Sequence, residues 1–323
     1  MKFSWKNLKK PIVCLSPMAG WTDSAFRQII KKICPEIICF TELTSADAII
    51  HKNKKTENML KFDKSEFPLI VQLFGKNEEY FLEAGKQIEK LGAAGIDINM
   101  GCPAKKIIKS NYGSGLLNNP EEAFKIVNKL SKNLKIPVSV KMRTGFDQYD
   151  EKSFIEFVKR IESAGAKLIT IHGRTKKQAY SGKSDWDPIY LAKKHLKIPV
   201  IGNGDIDSAK TAKQRLASQK YGVTLDGIMV GRASAGNPWI LGEIYAKLHN
   251  KKYTAPKSIK QKLPLIIDHF NLCLRTQGQI VGLLEMKKHL GAYLKGFESS
   301  SKYRQNIMQA KKPETVLEIL ENL

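Results

Sequence analysis

One cysteine of this sequence stands in a short polar loop where a thiol could take part in a reaction. Cys102 follows an apolar run, in the segment Asn99-Met100-Gly101-Cys102-Pro103. A thiol that stays protonated near neutral pH can act as a general acid, whereas a thiol of lowered pKa would act as a nucleophile. No neighbouring histidine in the sequence favours the nucleophile. The remaining cysteines fall inside predicted strands or helices, where we expect them to pack in the core; they are Cys14, Cys34, Cys39 and Cys273.

The residues at the ends of the other apolar runs are unusually polar as a set. They are Ser16 to Ala19, Glu42, Gln72, Lys141 with Arg143, His172 with Arg174, Asn203 to Asp205, and Gly231 with Arg232. Polar groups that are buried together cost free energy unless they are paired. A bound polar ligand would pair them, so we expect these residues to surround a ligand.

The glycines among these residues favour a ligand with a phosphate group. Gly202, Gly204 and Gly231 leave backbone N–H groups uncovered, and Arg232 adds a cation. Bare N–H groups after the last strands of a barrel are a common phosphate site. A sugar-phosphate enzyme, such as a lyase or an isomerase, would use such a site, but it would leave Cys102 without a role.

The amide and amino groups favour a flat heterocyclic ring. Gln72 and Asn203 could bind its carbonyl and N–H edges, and Lys141 would place positive charge where a reduced ring carries an anion. Flavin mononucleotide (FMN) fits both the phosphate and the ring. If the apolar runs are the strands of a barrel, its phosphate would lie at the last two strands and its ring across the mouth of the barrel.

Eight apolar runs, separated by segments of helical spacing, would position these residues. The runs are Ile12–Met18, Ile37–Glu42, Leu69–Phe74, Gly95–Gly101, Pro137–Arg143, Leu168–Arg174, Pro199–Asp205 and Gly227–Arg232. Helices are predicted at Glu79–Leu91 after Asn77, at Glu121–Leu134 after Asn119-Pro120, and at Glu151–Ala164 before Gly165. Near-continuous apolar runs indicate strands buried on both faces, so the pattern predicts an α/β fold, a (β/α)₈ TIM barrel. A doubly wound sheet is the alternative, but no Gly-x-Gly-x-x-Gly follows the first run.

The alternation stops near Thr254-Ala255-Pro256, and helical patterns alone follow. They cover about Lys260–Thr276, Ile280–Lys295 and Glu314–Leu323. We therefore expect a catalytic barrel over residues 1–247, a linker over 248–257 and a small all-helical domain over 258–323.

The composition is that of a globular protein with a large excess of positive charge. Of 323 residues, 42% are hydrophobic and 26% are charged, which excludes disordered, collagen-like and fibrous chains. With 54 Lys and Arg against 31 Asp and Glu, the net charge is +23, which predicts attraction to nucleic acid or an anionic membrane surface. No apolar run approaches the ~20 residues of a membrane span. Five irregularly spaced cysteines without a Cys-x-x-Cys pair favour a reducing compartment, so we expect a cytoplasmic protein with no disulfide framework and no zinc site.

Seven motifs, taken in order, carry a family resemblance. They are Pro17–Arg27, Val71–Gly75, Asp97–Pro103, Val140–Arg143, Ile171–Thr175, Gly202–Ile206 and Val230–Arg232. They resemble the motifs of the bacterial, FMN-dependent tRNA-dihydrouridine synthases, and the resemblance extends through the C-terminal helical segment. It implies a TIM barrel with a helical tRNA-binding domain. It also implies an enzyme that reduces the C5–C6 bond of uridines in the D-loop of tRNA, with FMN as cofactor and NADPH as electron donor.

The resemblance also implies roles for individual residues. Cys102 would protonate C5 of the uracil while hydride passes from flavin N5 to C6. The cofactor-binding residues would be Pro17, Met18, Ala19, Gln72, Lys141, His172, Asn203, Gly204, Asp205, Gly231 and Arg232. The substrate-binding residues would be Asn99, Arg143, Lys105, Lys106, Arg174, Arg275, Lys287, Lys288 and His289. The protein would work as a monomer, without a metal and without a membrane.

Two other functions are compatible with parts of the sequence. One is an FMN-dependent dehydrogenase on a free pyrimidine, which the helical domain and the charge argue against. The other is a non-catalytic RNA-binding protein on a retained barrel. The sequence departs from the residues usual in this family at Lys287, Ala292 and Asn111-Tyr112. None of these positions is Cys102 or an expected flavin-binding residue.

Overall fold

Eight parallel strands form a closed barrel within the part of the chain that the structure describes. The computed structural model covers residues 3–108, 110–297 and 299–323, apart from the side chains of Lys54, Lys55, Lys105 and Lys106. The strands are β1 (Ile12–Leu15), β2 (Ile38–Phe40), β3 (Leu69–Phe74), β4 (Gly95–Met100), β5 (Val138–Arg143), β6 (Leu168–His172), β7 (Val200–Asn203) and β8 (Gly227–Val230). Each strand pairs with the next, and β8 pairs with β1 to close the barrel. The predicted TIM barrel is confirmed.

The strands lie within the predicted apolar runs. Leu69–Phe74 matches its predicted bounds, and the other strands are shorter at one end or both. Most of the residues outside the strands at these ends are polar, glycine or proline, and they belong to the loops. Three two-residue strands were not predicted, because so short a segment shows no periodicity; they are Thr44–Ser45, Ala217–Ser218 and Val223–Thr224.

Helices follow the strands around the barrel. They are α1 (Ser24–Ile33), α2 (Ala46–Ile50), α3 (Lys54–Met59), α4 (Glu78–Lys90), α5 (Lys105–Ile108), α6 (Pro120–Asn133), α7 (Glu151–Ser163), α8 (Asp187–His195), α9 (Ala209–Leu216) and α10 (Trp239–Leu248). The side chain of Asn77 caps α4 by accepting backbone N–H groups of the first turn. Pro120 stands at the start of α6, where its missing N–H costs nothing. Gly165 follows α7 with a φ of +108°, which favours glycine. The three predicted helices are confirmed.

Four further helices make up the C-terminal segment. They are α11 (Ile259–Gln277), α12 (Gln279–Tyr293), α13 (Ser300–Gln309) and α14 (Pro313–Glu321). The helix α13 was missed because its sequence is polar and it buries Ile307 alone. Between Leu248 and Ile259 there is no helix or strand, and the predicted linker falls in this interval. Across the residues described, no helix is long and apolar enough to cross a membrane.

The C-terminal helices pack against the barrel through α1. Ala25 and Ile29 of α1 share an apolar cluster with Ile266 and Phe270 of α11 and Leu290 of α12. This contact is buried, so the C-terminal helices are held at one side of the barrel by apolar packing. The loop between β1 and α1, which leads into the same helix, therefore lies next to them.

Candidate active site

A cavity of about 1210 Å³ opens at the C-terminal ends of the barrel strands. The predicted site residues that line it are Pro17, Met18, Ala19, Asn99, Cys102, Lys141, Arg143, His172, Asn203, Gly204, Asp205, Gly231 and Arg232. Each of them is one of the last three residues of a strand or follows a strand closely, so parallel strands of a closed barrel bring them to one rim. The fold therefore assembles one site from residues that are scattered along the sequence.

The loop after β4 holds the thiol of Cys102 at the cavity. The Asn99 side-chain oxygen accepts the backbone N–H groups of Gly101 at 3.1 Å and Cys102 at 2.9 Å. The Ser114 hydroxyl donates to the Cys102 carbonyl oxygen at 2.8 Å. Gly113 has a φ of +58°, and a Cβ there would lie 3.1 Å from the Cys102 Cβ. Hydrogen bonds and close packing thus fix the half-buried cysteine from both sides.

An ammonium group and a neutral imidazole stand side by side in the cavity. The Lys141 amino group donates to the Asn203 side-chain oxygen at 3.1 Å, and the Asn203 amide donates to the Met229 carbonyl at 2.8 Å. Burial, with a smaller effect of Arg143, lowers the pKa of Lys141 to about 8, so the group is mostly charged at pH 7. Burial and the surrounding positive charges lower the pKa of His172 to about 2. The cavity therefore presents one positive charge and one uncharged ring at this point.

Asp205 organises the cationic end of the cavity. It lies 2.7 Å from an Arg174 nitrogen and 3.1 Å from an Arg232 nitrogen, and it accepts the Ser184 backbone N–H at 2.8 Å. Burial alone would raise the pKa of Asp205, but the Ser184 amide and the two guanidinium groups lower it overall. The Arg232 side chain is 60% exposed, so its guanidinium is available to a further anion.

Gln72 lies beneath the cavity and not at its surface, which differs from the expected cofactor contact. It is fully buried; its side-chain nitrogen donates to Asp97 at 2.7 Å, and its oxygen accepts from the Asn99 amide at 2.7 Å. Burial raises the pKa of Asp97 to about 6, although hydrogen bonds from Gln72 and Ser139 act in the opposite direction. Gln72 therefore supports Asn99 from below.

Arg174 is also kept from the cavity by its own contacts. Its side chain is 2% exposed and donates to the carbonyl oxygens of Ser181 and Gly182 as well as to Asp205. It fixes the loop after β6, and a direct substrate contact is not possible in this arrangement.

The predicted substrate-binding residues of the C-terminal helices differ in exposure. Arg275 is exposed. Lys287 is half-buried and donates to the carbonyl oxygens of Met308 and Ala310. Lys288 is half-buried, pairs with Glu285, and reaches the loop after β1. The predicted contacts of Lys105 and Lys106 rest on side chains that lie outside the part of the chain that the structure describes.

His289 is not an RNA-facing residue, and the prediction is wrong for this side chain. It is 0% exposed and packs against Trp21, Phe26 and His269. Neither of its ring nitrogens has a hydrogen-bond partner among the residues that the structure describes. Burial lowers its pKa well below the ordinary value, so the ring is neutral and belongs to the core between α1 and the C-terminal helices.

Two aromatic residues at the cavity were not predicted. Tyr180 is 57% exposed, and its ring lies 5.0 Å from the Arg232 guanidinium and 5.7 Å from that of Arg143. Trp21 also lines the cavity. Trp21 falls within the first quoted motif, which could have suggested it, whereas Tyr180 stands in a loop whose position no periodicity reveals.

Comparison with known proteins shows the family of this chain. Residues 14–323 match the dihydrouridine synthase family. The chain belongs to this family. A probable tRNA-dihydrouridine synthase of Rickettsia conorii is 37% identical over 292 residues, which are 90% of this chain and 87% of that protein. The tRNA-dihydrouridine synthase B of Pasteurella multocida is 34% identical over 321 residues, which are 99% of this chain and 95% of that protein. The expected oxidoreductase of the dihydrouridine synthase family is confirmed.

A solved structure supports the fold alone. A 2-naphthoyl-CoA reductase in complex with 2-naphthoyl-CoA superposes on this member of the dihydrouridine synthase family with a TM-score of 0.53. The match covers 76% of this chain and 53% of that chain, at 10% sequence identity. At so low an identity the likeness concerns the barrel and not its ligand.

Proposed function

We propose that this chain reduces the C5–C6 double bond of D-loop uridines in tRNA, with bound FMN as cofactor and NADPH as reductant. The supporting observation is a single cavity that holds the Cys102 thiol beside the Lys141 ammonium group, with Arg232 at its cationic end. Relatives named as tRNA-dihydrouridine synthases, aligned over nearly the whole chain, support tRNA as the substrate.

FMN fits the residues around the cavity. The nearest atom, the Ser16 Cβ, lies 3.5 Å from the Cβ position of Gly231, so phosphate oxygens could approach the backbone there, beside Arg232. The volume exceeds the ~300–1,000 Å³ of common small-molecule sites, which leaves room for a base beside the cofactor. The proposed cofactor-binding residues are Pro17, Met18, Ala19, Lys141, His172, Asn203, Gly204, Asp205, Gly231 and Arg232.

Reduced FMN, when bound, would supply the hydride for C6 of the uracil. Hydride addition leaves negative charge at C5, and Cys102 donates the proton that neutralises it, so the double bond gains one hydride and one proton. The thiol becomes a thiolate. Lys141 and Arg143 line the same cavity as this sulfur, and the thiolate then takes a proton from water.

The substrate base must leave the stack of a folded RNA before it can enter the cavity. Such extrusion costs a few kcal/mol. Phosphate contacts to a chain of net charge +23 would offset that cost. Among the helical residues, the exposed Arg275 and the half-buried Lys288 are the proposed contacts.

A Cys102→Ala variant tests the proposal. We expect it to keep its yellow flavin but to form dihydrouridine at least about 100-fold more slowly on tRNA that lacks the modification. Cys34→Ala is the matched control, because Cys34 is a buried thiol at the end of α1, away from the cavity. Its rate should equal that of the wild type.

Three outcomes would contradict the proposal. Unchanged activity of Cys102→Ala would reject the proton donor. Equal activity on free uridine and on tRNA would point to a free-pyrimidine dehydrogenase. Binding of tRNA that survives flavin removal, with no product from the wild type, would point to a non-catalytic RNA-binding protein.

A further inference from the structure

A buried carboxylate below the cavity has no part in the proposed reaction. Asp97 is 0% exposed and does not line the cavity. Gln72 of β3 and Ser139 of β5 stand opposite it in the strand register. The Gln72 nitrogen donates to it at 2.7 Å, and the Ser139 hydroxyl donates at 2.6 Å. An ionised carboxylate can only accept hydrogen bonds, so both neighbours must turn a donor towards it.

The donor that Gln72 turns towards Asp97 sets the direction of a hydrogen-bond chain to the reactive loop. The Gln72 oxygen then faces Asn99 and accepts from its nitrogen at 2.7 Å. The Asn99 oxygen in turn faces the loop and accepts the N–H groups of Gly101 and Cys102. The hydrogen-bond chain thus ends at the Asp97 carboxylate, which cannot donate, and at the backbone N–H groups of Gly101 and Cys102, which cannot accept. Rotating either amide by 180° would set like atoms against each other.

The fixed orientation of the Asn99 amide determines which of its polar atoms can bind a ligand in the cavity. Its oxygen already accepts two hydrogen bonds, and one of its two N–H groups is used by Gln72. The second N–H is what remains, so the residue can meet a substrate as a donor and not as an acceptor. A pyrimidine would therefore turn a carbonyl oxygen, and not its N3–H, towards Asn99.

We propose that Asp97 is a positioning residue: acting through Gln72, it fixes the orientation of Asn99 and so the place of Cys102 at the cavity. The inference rests on the proposed function for its kinetic readout. Its second readout, the chemical reactivity of the thiol, is independent of any RNA substrate.

Asp97→Ala, compared with Ser139→Ala, is the main test. Asp97→Ala removes both hydrogen bonds at this carboxylate, whereas Ser139→Ala removes one and leaves the bond from Gln72, which stands on the opposite side of Asp97. We expect Asp97→Ala to lower kcat about 10- to 100-fold, with KM for tRNA changed less than about threefold, because displaced reacting groups lose rate rather than binding. Ser139→Ala should stay within about threefold of the wild type in both constants. Flavin content should be equal in all variants.

Alkylation of the flavin-loaded protein by iodoacetamide, without tRNA, reports the thiol directly. The other four cysteines are buried, so the fast reaction belongs to Cys102. Its rate should change at least about threefold in Asp97→Ala and should be unchanged in Ser139→Ala. In Asp97→Asn, an oxygen can still accept from Gln72 while the Ser139 hydroxyl turns to the Ile96 carbonyl, so both readouts should return close to the wild type.

The inference would be overturned if kcat and the alkylation rate were the same in Asp97→Ala as in Ser139→Ala. If Asp97→Ala does not fold, Gln72→Met breaks the chain at its middle and leaves Asp97 bonded to Ser139. It should then show the same loss of kcat and the same altered alkylation, and wild-type values in both would overturn the inference. A wild type that forms no dihydrouridine would refute the proposed function alone, since the alkylation comparison would still test the role of Asp97.

Discussion

The stability of the protein should fall steeply between pH 7 and pH 5.5, because three histidines are buried in neutral form. Burial lowers the pKa of His172 to about 2, lowers that of His269 to about 3, and places that of His289 well below the ordinary value. In the unfolded chain each imidazole has a pKa of about 6.5. Below this pH the unfolded state takes up protons that the folded state cannot. The stability is therefore greatest well above pH 6.5, and it decreases progressively as the pH falls below that value.

The size of the loss follows from the two pKa values. For one imidazole that stays neutral in the fold, the penalty is about 0.2 kcal/mol at pH 7 and about 1.4 kcal/mol at pH 5.5. Three such groups together lose about 4 kcal/mol over this range. Asp97 acts in the opposite direction, because its pKa of about 6 in the fold makes the folded state take up a proton; it offsets about 1 kcal/mol. Together these four groups should contribute a net loss of about 3 kcal/mol.

Urea unfolding of the wild type, His289→Leu and His195→Gln at pH 7 and pH 5.5 would measure this loss. His289→Leu should show a loss smaller by about 1.2 kcal/mol. It should be at least as stable as the wild type at pH 7, because it removes two buried nitrogens that have no hydrogen-bond partner in the described ranges. His195→Gln is the matched control, because it exchanges an exposed histidine at the end of α8. An equal pH dependence in His289→Leu and the wild type would refute the reasoning.

Three further results are expected. Arg27→Met should lower the free energy of unfolding by about 3 kcal/mol, because it leaves the fully buried Glu66, 2.6 Å from the guanidinium, without its cation. Adding Glu66→Gln should recover most of the loss. A cost of Arg27→Met below about 1 kcal/mol would contradict the pairing. Gly202→Ala should cost about 1–3 kcal/mol in the same urea assay, since its Cβ would lie 2.2 Å from the Trp186 ring; an unchanged midpoint would mean that the ring can move aside. Affinity for tRNA, measured by filter binding, should fall at least about tenfold from 50 to 200 mM salt, and a salt-independent affinity would argue against phosphate contacts.

The barrel could be predicted from the sequence because its strands are buried on both faces. Each strand is then a short apolar run, and the polar residues that follow it mark the rim. The helix α13 could not be predicted in this way, since it buries a single apolar side chain and has no apolar stripe. The two-residue strands are shorter than any period that a sequence can show.

The sequence predicts which residues lie near the rim of the barrel, but not how deeply each side chain is buried there. Gln72 and Lys141 both stand in strands, yet Gln72 lies beneath Asn99 while Lys141 reaches the cavity. Their depth depends on where each strand ends relative to its neighbours, which one sequence does not specify. His289 is different, because Met286, Leu290 and Tyr293 stand three before, one after and four after it and are all buried. This spacing is typical of the buried face of a helix. It indicates that His289 is buried more strongly than the two preceding lysines indicate that it is exposed.

The packing of α12 also explains how an appended helical segment can act on a distant rim. His289 lies edge-on against Trp21, with ring centroids 4.8 Å apart, and Trp21 lines the cavity. The Lys288 amino group lies 3.3 Å from the Cβ position of Gly20, in the same loop after β1. Neighbouring residues of α12 thus contact the loop that carries Met18 and Ala19. The position of the helical surface relative to the cavity is therefore set by buried contacts and not by the length of the connecting segment, so an RNA held on α12 would meet the cavity at a fixed distance.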